Sequence, residues 1–100
     1  MSEKWDEKVI ELAKSLINCQ SYSGHEDKAA EALKAYMKET GVFDEIETDF
    51  YGNVIGHIKG KNPGPKVLFD GHIDTVPVGN LKDWKHDPFH AVVEDGKLYG

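Results

Sequence analysis

Apolar residues recur through the first part of the chain at spacings of three and four. Trp5, Val9, Leu12, Ala13, Leu16 and Ile17 form one stripe over residues 3–18, with Glu3, Lys4, Glu7, Lys8, Glu11 and Lys14 mostly on the other side. That period predicts an amphipathic helix, and the stripe reads as core packing rather than a binding groove. Ser2 stands where an N-cap belongs. After the turn Gln20-Ser21-Tyr22-Ser23-Gly24-His25-Glu26 the stripe resumes as Ala29, Ala30, Leu33, Tyr36 and Met37. It predicts a second helix, stopped at Gly41. Ser23 and Glu26 are three apart, the spacing of a capping box, so Ser23 reads as a cap rather than as a nucleophile without a base. His25, in the first turn, has no partner suggested by the sequence.

The period then changes to two. Ile46, Thr48 and Phe50 alternate with charged residues and predict a half-exposed strand. Tyr51-Gly52-Asn53 is a tight turn, and Val54-Ile55-Gly56-His57-Ile58 returns as its hairpin partner. Gly60 to Pro65 is a strong breaker. Beyond it the apolar run Val67-Leu68-Phe69 leads into Asp70-Gly71-His72-Ile73-Asp74, and Pro77 closes the extended segment. This pattern predicts a central strand with a buried apolar body and a polar C-terminal end, the usual geometry of an α/β active site. In the irregular stretch that follows, Trp84 and Phe89 are expected to pin the loop to the core. His86 and His90 are four apart, as in helical zinc motifs, but Pro88 between them forbids a regular helix. Ala91-Val92-Val93 and Lys97-Leu98-Tyr99 flank Asp95-Gly96 and predict a short hairpin.

The chemistry concentrates at the end of the central segment. Residues i and i+2 of an extended chain point to the same side, so His72 and Asp74 share a face and Ile73 turns away. This suits a metal-bound imidazole oriented by a carboxylate, and it equally suits a His and an Asp that cap a turn. Asp70 lies on that same face and could join either arrangement. A catalytic zinc takes three or more protein ligands and an open position. The sequence offers His72 as one candidate ligand and Asp74 as its orienter.

Composition narrows the function classes. One hundred residues give room for one small domain or a piece of a larger one, and 39% hydrophobic with 30% charged residues is a globular balance. The formal net charge of −6 excludes a nucleic-acid footprint. All 12 basic residues are lysines, so no guanidinium fork is available to clamp a substrate carboxylate or phosphate. Cys19 is alone, which rules out a disulfide framework within the chain and a thiolate cluster, and it is expected to be a buried structural thiol. The charged N-terminus lacks the apolar core of a signal peptide, and no run has the length of a membrane span, so a cytoplasmic location is expected.

Gly71-His72-Ile73-Asp74-Thr75-Val76-Pro77 resembles the first metal-binding motif of the zinc-dependent aminoacylase and carboxypeptidase family of metallopeptidases, whose members include desuccinylases, deacetylases and dipeptidases. Ser21-Tyr22-Ser23-Gly24-His25-Glu26 resembles that family's Ser-x-Ser-Gly-x-Glu helix entrance, here with Gln20 where a Pro is common. Tyr51-Gly52-Asn53-Val54 resembles its Gly-Asn-hydrophobic strand start. Trp84 with Asp87-Pro88-Phe89, and Asp95-Gly96-Lys97-Leu98-Tyr99-Gly100, resemble the segment leading to its second metal motif. Gly79-Asn80-Leu81-Lys82-Asp83-Trp84 is similar to the subgroup described as selenium-metabolism-linked hydrolases. These motifs stand in the family's order along nearly the whole chain.

The resemblance implies an α/β fold, with residues 1–100 forming the N-terminal part of a three-layer α/β/α zinc-peptidase catalytic domain built on a mixed sheet. The remainder of that domain and a smaller dimerisation domain would be absent, and the longer form would be a homodimer. It further implies a hydrolase of amide bonds with two zinc ions, cobalt or manganese being possible, acting on a small peptide or N-acyl amino acid. His72 would bind one metal and Asp74 would hold the imidazole. The bridging Asp would follow Gly100, and the general-base Glu and the other ligands would come later, so the 100-residue piece alone is expected to be inactive. The alternative is a stand-alone, non-catalytic small binding or vestigial domain.

Overall fold

The computed structural model describes residues 3–100, with side chains from Asp6 onward. The Ser2 cap and the side chains of Glu3, Lys4 and Trp5 therefore lie outside the described residues. Helix α1 spans Glu3–Ile17 and helix α2 spans Asp27–Thr40, close to the predicted bounds. Gly41 ends α2 in the left-handed conformation at φ 69°, and its N–H donates to the Lys38 carbonyl, as a C-terminal glycine should. The two helices are joined at one point by the Tyr36 hydroxyl, which donates to the Lys8 carbonyl at 3.3 Å. Ala29 and Ala30 are the buried residues of α2.

Two antiparallel hairpins follow. Strand β1 (Glu45–Thr48) pairs with β2 (Val54–His57), with Ile46 opposite Gly56. The turn between them is built by Asp49, whose carboxylate accepts from the Tyr51 and Asn53 backbone amides at 3.0 and 2.9 Å and from the Asn53 side chain at 2.8 Å. Gly52 supplies the positive φ of 88° that this loop requires. The strand stops at Thr48, so Phe50 falls in the turn and is exposed rather than continuing the alternation. Strand β3 (Val92–Glu94) pairs with β4 (Lys97–Tyr99) through Asp95 and Gly96, both at positive φ, which is the primed turn expected for Asp-Gly. The Ala91 amide donates to the Asn18 side chain at 2.8 Å and ties this second hairpin to the end of α1.

The acid response of the first hairpin follows from Asp49. The Asn53 side chain foremost, then the Asn53 amide, holds its carboxyl below the usual carboxylate range, with burial opposing and the Tyr51 and Gly52 amides adding to it. A depressed folded pKa means that the stabilisation is fully present above the unfolded value of about 3.9 and is lost as pH falls through the folded one. The stability difference between the wild type and Asp49→Asn is expected to be present at neutral pH and to vanish in strong acid. Thermal melts across that range measure it, and a pH-independent difference would remove the carboxylate from the turn's stability.

The central segment departs from expectation. Residues 66–74 form no strand, and Val67, Leu68 and Phe69 are 75%, 86% and 91% exposed. A strand apolar on both faces needs neighbours on both edges and layers on both faces. Among the described residues nothing pairs with it until Thr75, which makes a single parallel bridge to Tyr22. The strands present are thus two separate antiparallel hairpins, not a mixed sheet. The accessible surface of 8394 Å² and radius of gyration of 15.8 Å both exceed those of a compact monomer of this size. Such a monomer would show roughly 5,700 Å² and about 13 Å. Helices and hairpins are in place, but much apolar surface stays uncovered. Among the described residues no helix is long and apolar enough to cross a membrane.

Candidate functional site

The parallel bridge positions the site. The Thr75 amide donates to the Ser21 carbonyl at 2.8 Å, and the Ser23 amide donates to the Thr75 carbonyl at 3.2 Å. Ser21 is buried, so the segment between the two helices is fixed and serves as a rail for residues 74–75. Asp74 is thereby held beside Ser23, 51 residues away in sequence, and the Ser23 hydroxyl donates to Asp74 Oδ2 at 2.5 Å. The other carboxylate oxygen, Oδ1, lies 3.0 Å from His72 Nδ1, and the Asp74 carbonyl lies 3.0 Å from the same nitrogen.

These contacts fix the imidazole's chemistry. Both partners of His72 Nδ1 are acceptors, so Nδ1 carries the proton and Nε2 of the neutral ring keeps its lone pair. The His72 side chain is 85% exposed and that of Asp74 38%, so the ring stands outward from a partly covered carboxylate. The Ser23 hydroxyl first, and the His72 ring second, hold the Asp74 carboxyl below the usual range, against a small effect of burial. Asp74 therefore stays ionised at neutral pH and remains an acceptor. A metal-ligating histidine characteristically gives its other ring N–H to a carboxylate. The donor set fits one histidine ligand and its orienter.

Other sequence candidates are not brought to this place. Among the described residues no three His, Cys, Asp or Glu side chains gather as a metal cluster, and Asp70 does not join His72 and Asp74. The His86 ring lies 4.6 Å from the Tyr99 ring, with Nε2 3.4 Å from Glu94 Oε2, while the His90 amide closes a turn onto the Asp87 carbonyl. Phe89 packs at a tilt on Tyr22, outside the loop, whereas the Trp84 indole N–H donates to the Val78 carbonyl at 2.9 Å within the loop and the residue stays exposed. Cys19 is half-buried rather than buried. It lines an apolar cavity of about 320 Å³ with Leu16, Ile17, Val78, Trp84 and Phe89, behind the bridge; neither His72 nor Asp74 lines it.

Ser23 is the functional contact that sequence reasoning missed. It does not cap α2: the residue before the helix is Glu26, which makes no side-chain cap bond, and Glu26 instead turns back to accept from the Gly24 amide at 2.8 Å. The helix starts at Asp27, so Ser23 stands three residues before the cap position, and its hydroxyl instead makes a charge-assisted bond to an ionised carboxylate, roughly twice as strong as a neutral one. Local spacing could not reveal a partner 51 residues away; the hint was that Ser23 falls in the Ser-x-Ser-Gly-x-Glu segment, which marks the position without naming its partner.

The chain is similar to a succinyl-diaminopimelate desuccinylase from Wolbachia pipientis subsp. Culex pipiens (strain wPip), 40% identical over 93 residues. The match covers 91% of this chain and 23% of the relative, so the chain spans about a quarter of the relative's length. No family model and no solved structure matches. The similarity supports the zinc-dependent aminoacylase and carboxypeptidase family to which the motifs point.

Proposed function

We propose that this chain is the N-terminal part of a metal-dependent hydrolase of amide bonds and carries that enzyme's first metal motif. The observation that carries the reading is the His72–Asp74 pair, with Nδ1 held at 3.0 Å on a side chain 85% exposed, in a chain 40% identical over 93 residues to a desuccinylase. His72 serves as a metal ligand through Nε2, and Asp74 fixes the ring's tautomer and direction. The metal, two zinc ions in the complete enzyme with cobalt or manganese as possible substitutes, supplies a polarised carbonyl and an activated water. The general base and remaining ligands come from the rest of the catalytic domain, and the 100-residue piece alone is inactive. The open apolar run Val67-Leu68-Phe69 is then the body of a central strand whose neighbours in a three-layer α/β/α domain belong to that remainder.

The substrate class is a small peptide or N-acyl amino acid, and the relative's name makes an N-succinyl amino acid the first compound to test. The enzyme is taken to act in the cytoplasm as a homodimer. The test is hydrolysis by the complete enzyme before and after stripping with a chelator. Activity is expected to fall to background and return with zinc or cobalt. Hydrolysis that persists unchanged through exhaustive chelation would overturn the metal mechanism, and a metal-replete complete enzyme inactive on every N-acyl amino acid and dipeptide would favour a non-catalytic binding role.

A further inference from the structure

Asp74 meets the ring twice, through its backbone carbonyl and through Oδ1, both 3.0 Å from His72 Nδ1, and its remaining carboxylate oxygen has a different partner. Its Oδ1 faces His72 Nδ1, whereas Oδ2 is occupied by the Ser23 hydroxyl at 2.5 Å. A carboxylate held at one oxygen can rotate about its Cβ–Cγ bond; one held at both oxygens cannot do so without breaking a bond. The serine is itself fixed. Its amide donates to the Thr75 carbonyl, the Thr75 amide donates to the Ser21 carbonyl, and Gly24 takes the positive φ of 87° that turns the chain away after it. The hydroxyl thus approaches Asp74 from a rail of backbone hydrogen bonds.

We infer that Ser23 is a positioning residue: its hydroxyl locks the Asp74 carboxylate so that Oδ1 joins the Asp74 carbonyl in keeping the proton on His72 Nδ1 and leaves Nε2 unprotonated. The sequence Ser23 Oγ–H to Asp74 Oδ2, and His72 Nδ1–H to Asp74 Oδ1, is a three-residue relay assembled from two distant segments. It requires no change of charge. Its product is a choice between the two neutral tautomers of one ring, made before any ligand arrives. This role rests on the proposed ligand function of His72 for its purpose, though not for its existence, because the tautomer is a property of the metal-free protein.

The experiment measures nitrogen-15 shifts of the His72 ring in metal-free protein at a pH well above the ordinary histidine range. Wild type is expected to show predominantly the Nδ1–H form. In Ser23→Ala the ratio of Nδ1–H to Nε2–H is expected to fall roughly 2- to 10-fold, the ratio that one net hydrogen bond is worth. Ser23→Thr keeps a hydroxyl on the same backbone and is expected to restore the wild-type ratio, which a merely structural contact would not do. Ser23 is exposed, and removing its hydroxyl leaves both backbone links to Thr75 intact. An unchanged ratio in Ser23→Ala overturns the relay, as does a loss in Ser23→Thr equal to that in Ser23→Ala. The ligand reading fails separately: full activity of a His72→Ala complete enzyme would remove it without altering the ratio measured here.

Discussion

Replacing His72 by alanine in the complete enzyme is expected to lower hydrolysis by more than the roughly 10- to 100-fold that follows loss of an orienting partner. The reasoning is geometric. Nδ1 is committed to Asp74 by two contacts at 3.0 Å, and the ring's remaining nitrogen keeps its lone pair on a side chain that is 85% exposed. Asp74→Ala removes the orienter but keeps the nitrogen, so it is expected to fall within the 10- to 100-fold range, in activity or in metal affinity. Asp74→Asn keeps the shape but weakens the acceptor, and is expected to lie between Asp74→Ala and wild type. Bound metal per chain, measured beside kcat, separates the two positions: His72→Ala loses metal from its site, whereas the Asp74 variants bind it more weakly. A His72→Ala enzyme with wild-type metal content and wild-type kcat would remove His72 from the site.

How far these features were legible in the sequence depended on the range of the forces behind them. The helices, the Gly41 stop, the Asp95-Gly96 turn and the first hairpin are set by neighbours within a few residues, and their periods and turn chemistry could be read directly. The His72–Asp74 pair was legible for the same reason, since i and i+2 share a face of any extended segment. The Val67-Leu68-Phe69 strand was not realised, because a strand is a relation between segments and its apolar content says nothing about whether partners exist. Ser23 failed in the opposite direction. Its local pattern fitted a cap, but α2 starts only at Asp27, and the hydroxyl's partner is a carboxylate 51 residues away. Cys19, expected inside, is half-open where it lines the apolar cavity.

Gly56→Val is expected to destabilise the fold by about 1–3 kcal/mol through overpacking. Gly56 lies in β2 opposite Ile46, on the face of the hairpin that meets α2. A Cβ built at this position would collide with Met37 Cε, at the end of α2, and come within 2.5 Å of the Phe43 ring. Glycine in a strand interior normally costs roughly 0.5–1 kcal/mol relative to alanine, so a side chain here would ordinarily help. The methionine tip can swing aside at little cost. The Phe43 ring is stiffer, and it belongs to the short connection between α2 and β1, so moving it lifts the hairpin from the helix. With valine the steric penalty therefore exceeds the gain in strand propensity. Urea unfolding of Gly56→Val, Phe43→Leu and the double variant decides the cause. If the ring is the obstacle, the double variant loses less than the sum of the two single losses, because the smaller side chain makes room for the valine. A Gly56→Val chain as stable as wild type, or strict additivity with Phe43→Leu, would mean that the hairpin is not seated on α2 through this contact.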